Sequence, residues 1–499
     1  MLDSRSPLRL LGVVLLAALA QAHAVAAPAA PQTAAAGAAT SVARFIVRLR
    51  TTPASAAYQP APDRVAALAT RHGLAVAEAR HIVSGIHLLR VTPRPGESAT
   101  QTLVRLRADP AVEYAEIDAR RRPLATPDDT LFNEQWYLQN SQPAAVNAVA
   151  AWDLTTGSAG LVIADLDTGV LFGHPDLRNA SANRLLPGYN MIANVAVSND
   201  GGGRDSDASD PGDWVTAADA KTSQFSGCTV GNSSWHGTRT AGILGAITNN
   251  QAGIAGMTWQ GWIEPVRVLG KCGGYDSDII AAMAWAAGLS VSGVPANPYP
   301  ARVINMSLGE VGSCQSFPAY QQTIDELVAA GVLVVVSAGN EGGPVDVPAN
   351  CAGVVAVAGL REVGTKVGYS SLGPEVALSA PAGNCVNTGA GQPCLFSIVT
   401  ITNSGTTVPA NNTYTDEYSF NVGTSFSAPI VSGIAGLMLS VNGNLTPDRL
   451  IARLQAASQP FPVSSTPGVP LCHVPTGPPS LPADTTTSTP AAASSSIIC

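Results

Sequence analysis

Charge is scarce in this chain. Only 12% of its 499 residues are Asp, Glu, Lys or Arg, and the balance is acidic, with 35 acids against 27 bases. Residues 126–499 carry a net charge of −15. That excludes a nucleic-acid-binding role for this part, which would need a basic footprint against the phosphate backbone. Low charge does not mean disorder here, because 46% of the residues are apolar. Cysteine is missing from the first 227 residues, and none of the eight has the paired C-x-x-C spacing of a zinc site. Disulfides in an oxidising compartment are the better reading, although eight cysteines allow about a hundred pairings. Long apolar runs are missing as well. The run from Leu10 to Ala20 is shorter than the roughly 20 residues that span a bilayer, and no later segment is expected to span one. No membrane association is expected.

What is present begins with an export signal. Arg5 and Arg9 precede the Leu10–Ala20 run, and small residues alternate through Ala22-His23-Ala24 and Ala24-Val25-Ala26. Residues 1–26 therefore read as a signal peptide, and the protein as secreted and soluble. At 499 residues the rest is too long for one core and predicts two or three domains. With 48 Gly and 37 Pro, its composition is loop-rich.

An Ala/Pro/Thr-rich linker over residues 27–43 leads into a short mixed pattern. Phe45 to Arg50 alternates like a strand, Asp63 to His72 has helical spacing, and His87 to Val91 is a second strand. Ser98 to Arg107 reads as a second helix and Val112 to Asp118 as a third strand. Residues 27–124 are thus a linker and a small α+β domain of ferredoxin-like pattern. Residues 44–125 carry a net charge of +6, which points to an acidic partner within the same chain. Arg120-Arg121-Arg122-Pro123 and the Ala125-Thr126-Pro127 that follows make a junction suited to cleavage.

From 125 to 459 the pattern changes. Leu161–Ala164, Val303–Met306, Val332–Val336 and Val354–Val357 are short, β-branched and apolar, as strands buried on both faces of a parallel sheet are. Gly237–Thr248, Asp276–Ala287 and Tyr320–Ala330 have helical spacing. This predicts an α/β domain with a doubly wound, mainly parallel sheet, its active site at the carboxyl ends of the strands. Residues 460–499 form a Pro/Ser/Thr-rich tail.

Three motifs fall at the expected places. Asp167 ends a strand in Asp167-Thr168-Gly169, His236 opens a helix in Ser234-Trp235-His236-Gly237-Thr238, and Ser425 opens another in Gly423-Thr424-Ser425-Phe426-Ser427-Ala428-Pro429. A serine hydroxyl needs an imidazole to take its proton, and the imidazole needs a buried carboxylate to fix its tautomer. Only His174, His236 and His473 lie beyond residue 125. His174 reads as a loop residue and His473 lies in the tail, so His236 is the candidate base. A developing oxyanion also requires hydrogen-bond donors, and a fourth motif, Ser337-Ala338-Gly339-Asn340-Glu341-Gly342, carries an amide at Asn340.

In this chain order and with these flanking residues, the sequence resembles the subtilisin-like serine proteases over roughly residues 130–457. The resemblance implies a subtilisin-like fold and a secreted, monomeric endopeptidase acting on protein or peptide substrates. Asp167, His236 and Ser425 would form its triad, Asn340 and the Ser425 N–H its oxyanion donors. Ser307-Leu308-Gly309 and Ser337-Ala338-Gly339 resemble the strands that grip substrate and wall the first specificity pocket. The small domain resembles the family's propeptide, an intramolecular inhibitor released by self-cleavage. Structural calcium (Ca2+) is implied as cofactor, with side-chain oxygens from Asp176 and Asn250 and carbonyls from Thr248, Ala252 and Ile254. The acidic loop from Asp200 to Asp213, with Asp205, Asp207 and Asp210, is either a second calcium site or a solvated loop. The resemblance also suggests the disulfides Cys228–Cys272 and Cys314–Cys351; Cys385–Cys394 would close a short loop and leave Cys472 with Cys499.

Two departures stand out. Asp165 occupies a position that is usually apolar, and its repulsion of Asp167 is expected to raise one carboxylate pKa. Arg239 replaces a second, non-catalytic histidine. A catalytically impaired peptide-binding pseudoprotease is disfavoured by the complete set of motifs. An esterase is disfavoured because Ser427 stands where the second glycine of its nucleophile motif belongs.

Overall fold

The computed structural model describes residues 42–50, 61–83, 85–119, 126–385, 393–416 and 421–460. The signal peptide, most of the linker, the Arg120–Ala125 part of the junction and the tail from 461, including Cys472 and Cys499, lie outside the described residues. The chain divides into two compact units between Arg122 and Pro123.

In the first unit the strands are β1 (Ala43–Leu49), β2 (Ala75–Val83), β3 (Ile86–Thr92) and β4 (Val112–Ile117), with helices α1 (Ala61–Arg71) and α2 (Ala99–Arg107). They build an antiparallel sheet in the order β2-β3-β1-β4. Phe45, Val47, Leu89 and Val91 from the sheet meet Val65, Leu68, Leu103 and Leu106 from the helices in one core. Helix α2 starts in a capping box: Gln101 N–H donates to Ser98 Oγ, and Ser98 N–H donates to Gln101 Oε1. Such caps contribute about 1 kcal/mol. Strand β2 has no counterpart in the sequence reading. Its side chains are exposed or half-buried throughout, so no apolar alternation marks it.

The second unit holds α3 (Ala148–Trp152), β5 (Gly157–Asp167), β6 (Tyr189–Asn190), α4 (Val195–Ser198) and α5 (His236–Gly245). Next come β7 (Gln260–Arg267), α6 (Asp276–Ala286), β8 (Val303–Met306), α7 (Pro318–Ala329), β9 (Leu333–Ser337), β10 (Val355–Leu360) and β11 (Val376–Pro381). The β12–β13 hairpin (Ile401–Asn403, Asn412–Tyr414) and helices α8 (Thr424–Val441) and α9 (Pro447–Ala457) complete it. Seven strands, all parallel, run in the order β11-β10-β9-β8-β5-β7-β6. Alternation sorts their side chains. Ile163, Val303, Leu333 and Val335 pack with Ile243 and Leu244 of α5 and Ile430 and Val431 of α8. Ala164, Leu166, Ile304 and Val334 face Ile279 and Met283 of α6 and Ile324 and Leu327 of α7. This is the doubly wound sheet, with helices on both faces.

One expectation needs correction. Helix α8 is long and apolar enough, by length and composition, to cross a membrane, but 72% of it is buried as the core helix of this unit. Its apolar length serves packing against one face of the sheet and α5. Three disulfides, Cys228–Cys272, Cys314–Cys351 and Cys385–Cys394, form with Cα separations of 5.7, 5.1 and 4.8 Å. Links of this kind typically contribute about 2–4 kcal/mol.

Candidate active site

The strand order reverses around β5, which lies between β7 and β8. Asp167 ends β5 there, only 1% exposed. Both its oxygens face His236 Nδ1, at 2.8 and 2.9 Å, and Oδ1 also accepts the Thr168 N–H at 2.7 Å. Thr168 Oγ1 accepts the Gly237 N–H at 2.9 Å and donates to the buried Asp210 at 2.7 Å, tying β5 to the start of α5. Gly237 is required for this approach: a Cβ there would lie 2.3 Å from Gly169 O and 3.0 Å from Asp167 Cβ. Burial alone would lower the His236 pKa, but the Asp167 carboxylate overcomes it and leaves the imidazole raised above its ordinary value.

Ser425 sits in the first turn of α8, and the Phe426 ring lies 5.9 Å from the His236 ring, centroid to centroid. The Ser425 hydroxyl donates to Ser307 O at 3.4 Å rather than to His236. Asn340 follows β9. Its Oδ1 accepts Thr424 N–H at 2.9 Å and Thr424 Oγ1–H at 3.1 Å, which leaves the amide N–H₂ as a donor near the start of α8. Ser307-Leu308-Gly309, after β8, and Ser337-Ala338-Gly339, ending β9, flank the start of α8. A cleft of about 400 Å³ runs along His236, Ser307, Leu308, Gly309 and Glu310.

Asp165 is buried one pleat from Asp167. It accepts Thr240 Oγ1–H at 2.8 Å and Asn305 Nδ2–H at 2.9 Å, and burial together with the Asp167 charge drives its pKa upward. The carboxyl that takes the rise is thus Asp165. Arg239 donates from Nη1 to Asn421 Oδ1 at 3.0 Å and from Nε to Thr402 Oγ1 at 3.2 Å, joining the histidine helix to β12 and to the segment leading into Ser425. His174 is buried edge-on against Tyr414 and hydrogen-bonded to Thr413 O, with its pKa lowered to about 4 by burial.

The residues expected to bind calcium converge. Buried Asp176 accepts the Asn250 Nδ2–H and the Ile254 N–H, and burial pushes its pKa to about 6. Asp129, not foreseen from sequence, adds a second carboxylate that accepts the N–H groups of Asn249 and Asn250. The carbonyls of Thr248, Ala252 and Ile254 accept no hydrogen bond among the described residues. An all-oxygen donor set with free carbonyls suits a hard cation. The carboxylates of the Asp200–Asp213 loop are engaged by groups around it, a cation among them. Asp200 pairs with Arg267 and Asn190, Asp210 with Thr168 and Gly212, and Asp213 with Ser234. Among the described residues no three His, Cys, Asp or Glu side chains form a metal cluster.

Residues 158–470 match the sequence profile of the subtilase family, peptidase S8. The chain belongs to that family. This subtilase is 41% identical over 387 residues to an extracellular protease of Xanthomonas campestris pv. campestris, covering 77% of this chain and 62% of that protein. It is 36% identical to an extracellular basic protease of Dichelobacter nodosus, covering 69% of this chain and 54% of that one. The chain therefore spans less than two thirds of the length of either relative. A solved protease structure from Pseudoalteromonas arctica is 43% identical, with a TM-score of 0.61, covering 68% of this chain and 94% of that one.

Proposed function

We propose that this subtilase is a secreted serine endopeptidase, made as a precursor that processes itself. The observation that carries the reading is the paired contact of His236 Nδ1 with both oxygens of buried Asp167, beside Ser425. Asp167 holds the imidazole in the tautomer whose Nε2 is free to take a proton. His236 removes the Ser425 proton as Oγ attacks the peptide carbonyl. The oxyanion is met by the Asn340 amide and the Ser425 N–H, His236 returns the proton to the leaving amine, and water hydrolyses the acyl-enzyme. Removing one oxyanion donor costs ~3–4 kcal/mol in the known subtilisin asparagine case.

The first unit acts as an inhibitory propeptide, with cleavage between Arg120 and Asp128; its +6 charge opposes the −15 of residues 126–499. Opposite charge speeds association and is screened by salt. Calcium would be held by Asp176, Asn250 and the carbonyls of Thr248, Ala252 and Ile254, with Asp129 adjacent, and would cross-link loops outside the reaction path. The mature enzyme is a monomer acting on protein or peptide substrates, with no nucleic acid or membrane partner.

The test compares hydrolysis of a matched peptide amide and ester by the native chain and a Ser425→Ala variant. Amide hydrolysis, its loss by several orders of magnitude in the variant, and retention of the N-terminal unit are expected. Ester-only turnover would mark an esterase, and peptide binding without turnover a pseudoprotease. Normal processing of the purified variant would refute self-cleavage.

A further inference from the structure

Two chain segments flank Ser425, Ser307 to Glu310 after β8 and Ala338 to Glu341 after β9. A third segment closes the space between them. The Asp346 N–H donates to Ala338 O at 3.0 Å, while Val347 exchanges two backbone hydrogen bonds with Glu310, at 2.9 and 3.0 Å. Asp346 therefore stands on the floor that joins both walls. Its side chain runs between the glycines of those walls. A Cβ on Gly339, whose φ is +111°, would fall 2.3 Å from Asp346 Oδ2, and a Cβ on Gly309 would fall 3.3 Å from Asp346 Cβ. Glycine on both sides leaves this side chain room between the two segments.

Asp346 is 4% exposed, and no Lys or Arg pairs with it among the described residues. The charged groups facing it are acids: Glu341, which shares a hydrogen bond with it, and Glu310 on the opposite wall. Burial and these two charges push its pKa to about 7. A buried acid among acids, between the two segments that flank Ser425 and next to Val347 and Pro348, which line the cleft, lacks the cation that would balance it.

We propose that Asp346 is the specificity-determining residue of this subtilase, selecting Lys or Arg at the substrate position whose carbonyl Ser425 attacks. The inference rests on the endopeptidase reading above. An ammonium or guanidinium entering between Gly309 and Gly339 meets Asp346, with Glu341 and Glu310 adding to the field. Arg is suited to a planar two-oxygen contact with a carboxylate. The same preference accounts for Arg120-Arg121-Arg122 in the junction proposed for self-cleavage.

The experiment uses the mature enzyme and peptide amides that differ only in Arg, Lys or Leu at the residue before the scissile bond. Arg and Lys are expected to exceed Leu in kcat/KM by at least tenfold. Asp346→Asn should lower the Arg-to-Leu ratio by at least tenfold and Glu341→Gln by a smaller factor. In the native enzyme the ratio should fall on acidification from pH 8 to 5.5, a change that titration of His236 does not produce because it acts on both substrates alike. Benzamidine, an arylamidinium probe, should inhibit the native enzyme competitively whether or not the variants fold. A Leu preference in the native enzyme, or a ratio unmoved by Asp346→Asn, overturns the assignment while leaving the endopeptidase reading intact. Cleavage of none of the peptides would sink both.

Discussion

Ser307 Oγ donates to the carbonyl of Ser425 at 2.7 Å. That carbonyl needs an outside donor because residue 429, whose N–H would bond it in a regular helix, is proline. Pro429 is the sixth residue of α8, in its second turn. Its tolerance there comes from Ser307. We expect Ser307→Ala to lower stability by about 1 kcal/mol, because it strands a part-buried acceptor. Adding Pro429→Ala should recover much of that loss by restoring an N–H. Denaturant unfolding of the two single variants and the double variant measures the coupling; additive losses would show that Ser307 does not stand in for the missing donor.

Asp165 and Asp167 point to the same side of β5, and Asn305 and Thr240 hold the first of them. With its folded pKa raised above 3.8, Asp165 binds its proton more tightly in the native state than in the unfolded chain. The contribution is fully present below the unfolded value and is lost as pH rises through the folded one. Asp165→Asn, neutral throughout, should therefore gain stability relative to the native chain as pH goes from 5 to 9, by on the order of 1 kcal/mol. Melting temperatures across that range decide it, and parallel curves for the two proteins would contradict the shift.

Calcium chelation should lower the melting temperature before it disturbs the triad. A ligand that binds only the folded state stabilises it by mass action, about 2.7 kcal/mol at a hundredfold excess over Kd. Asp176→Asn should reduce the response to chelator. An unchanged melting temperature in excess chelator, with metal analysis finding no bound calcium, would remove the site.

Much of this was legible in the sequence, for identifiable reasons. Strands β8, β9 and β10 are buried on both faces, so their runs are uninterrupted and β-branched. The motif residues lie at element ends, where turn and helix-start signals are strong. Strand β7 was missed because Trp262, Glu264 and Pro265 break its run, although Glu264 is buried and bound by Asn297. The β12–β13 hairpin is only three residues per strand. Neither Asp346 nor Asp129 carries a local signal. Their surroundings come from distant segments, Glu310 for the first and Asn249 and Asn250 for the second, and no periodicity encodes such an approach. Arg239 was legible as a departure but not as a strut, since Asn421 and Thr402 lie more than 160 residues away.

The residue after Ser425 bears on oxidation. Phe426 follows Ser425, is 4% exposed and packs against the His236 ring, and it has no thioether to oxidise. The nearest methionine in the same helix, Met438, lies about three turns along. Met306 precedes Ser307 in the chain, but it is fully buried, as are Met191, Met257 and Met283. Oxidation follows access, and no methionine thioether lines the cleft among the described residues. Mild peroxide should leave activity within about twofold of the untreated enzyme while half-buried Met438 converts first. Phe426→Met should make the enzyme peroxide-sensitive, because a sulfoxide would then form beside the oxyanion position. Mass spectrometry alongside activity reads both. Rapid loss in the native enzyme that tracks a single methionine sulfoxide would show that another methionine has taken over the vulnerability.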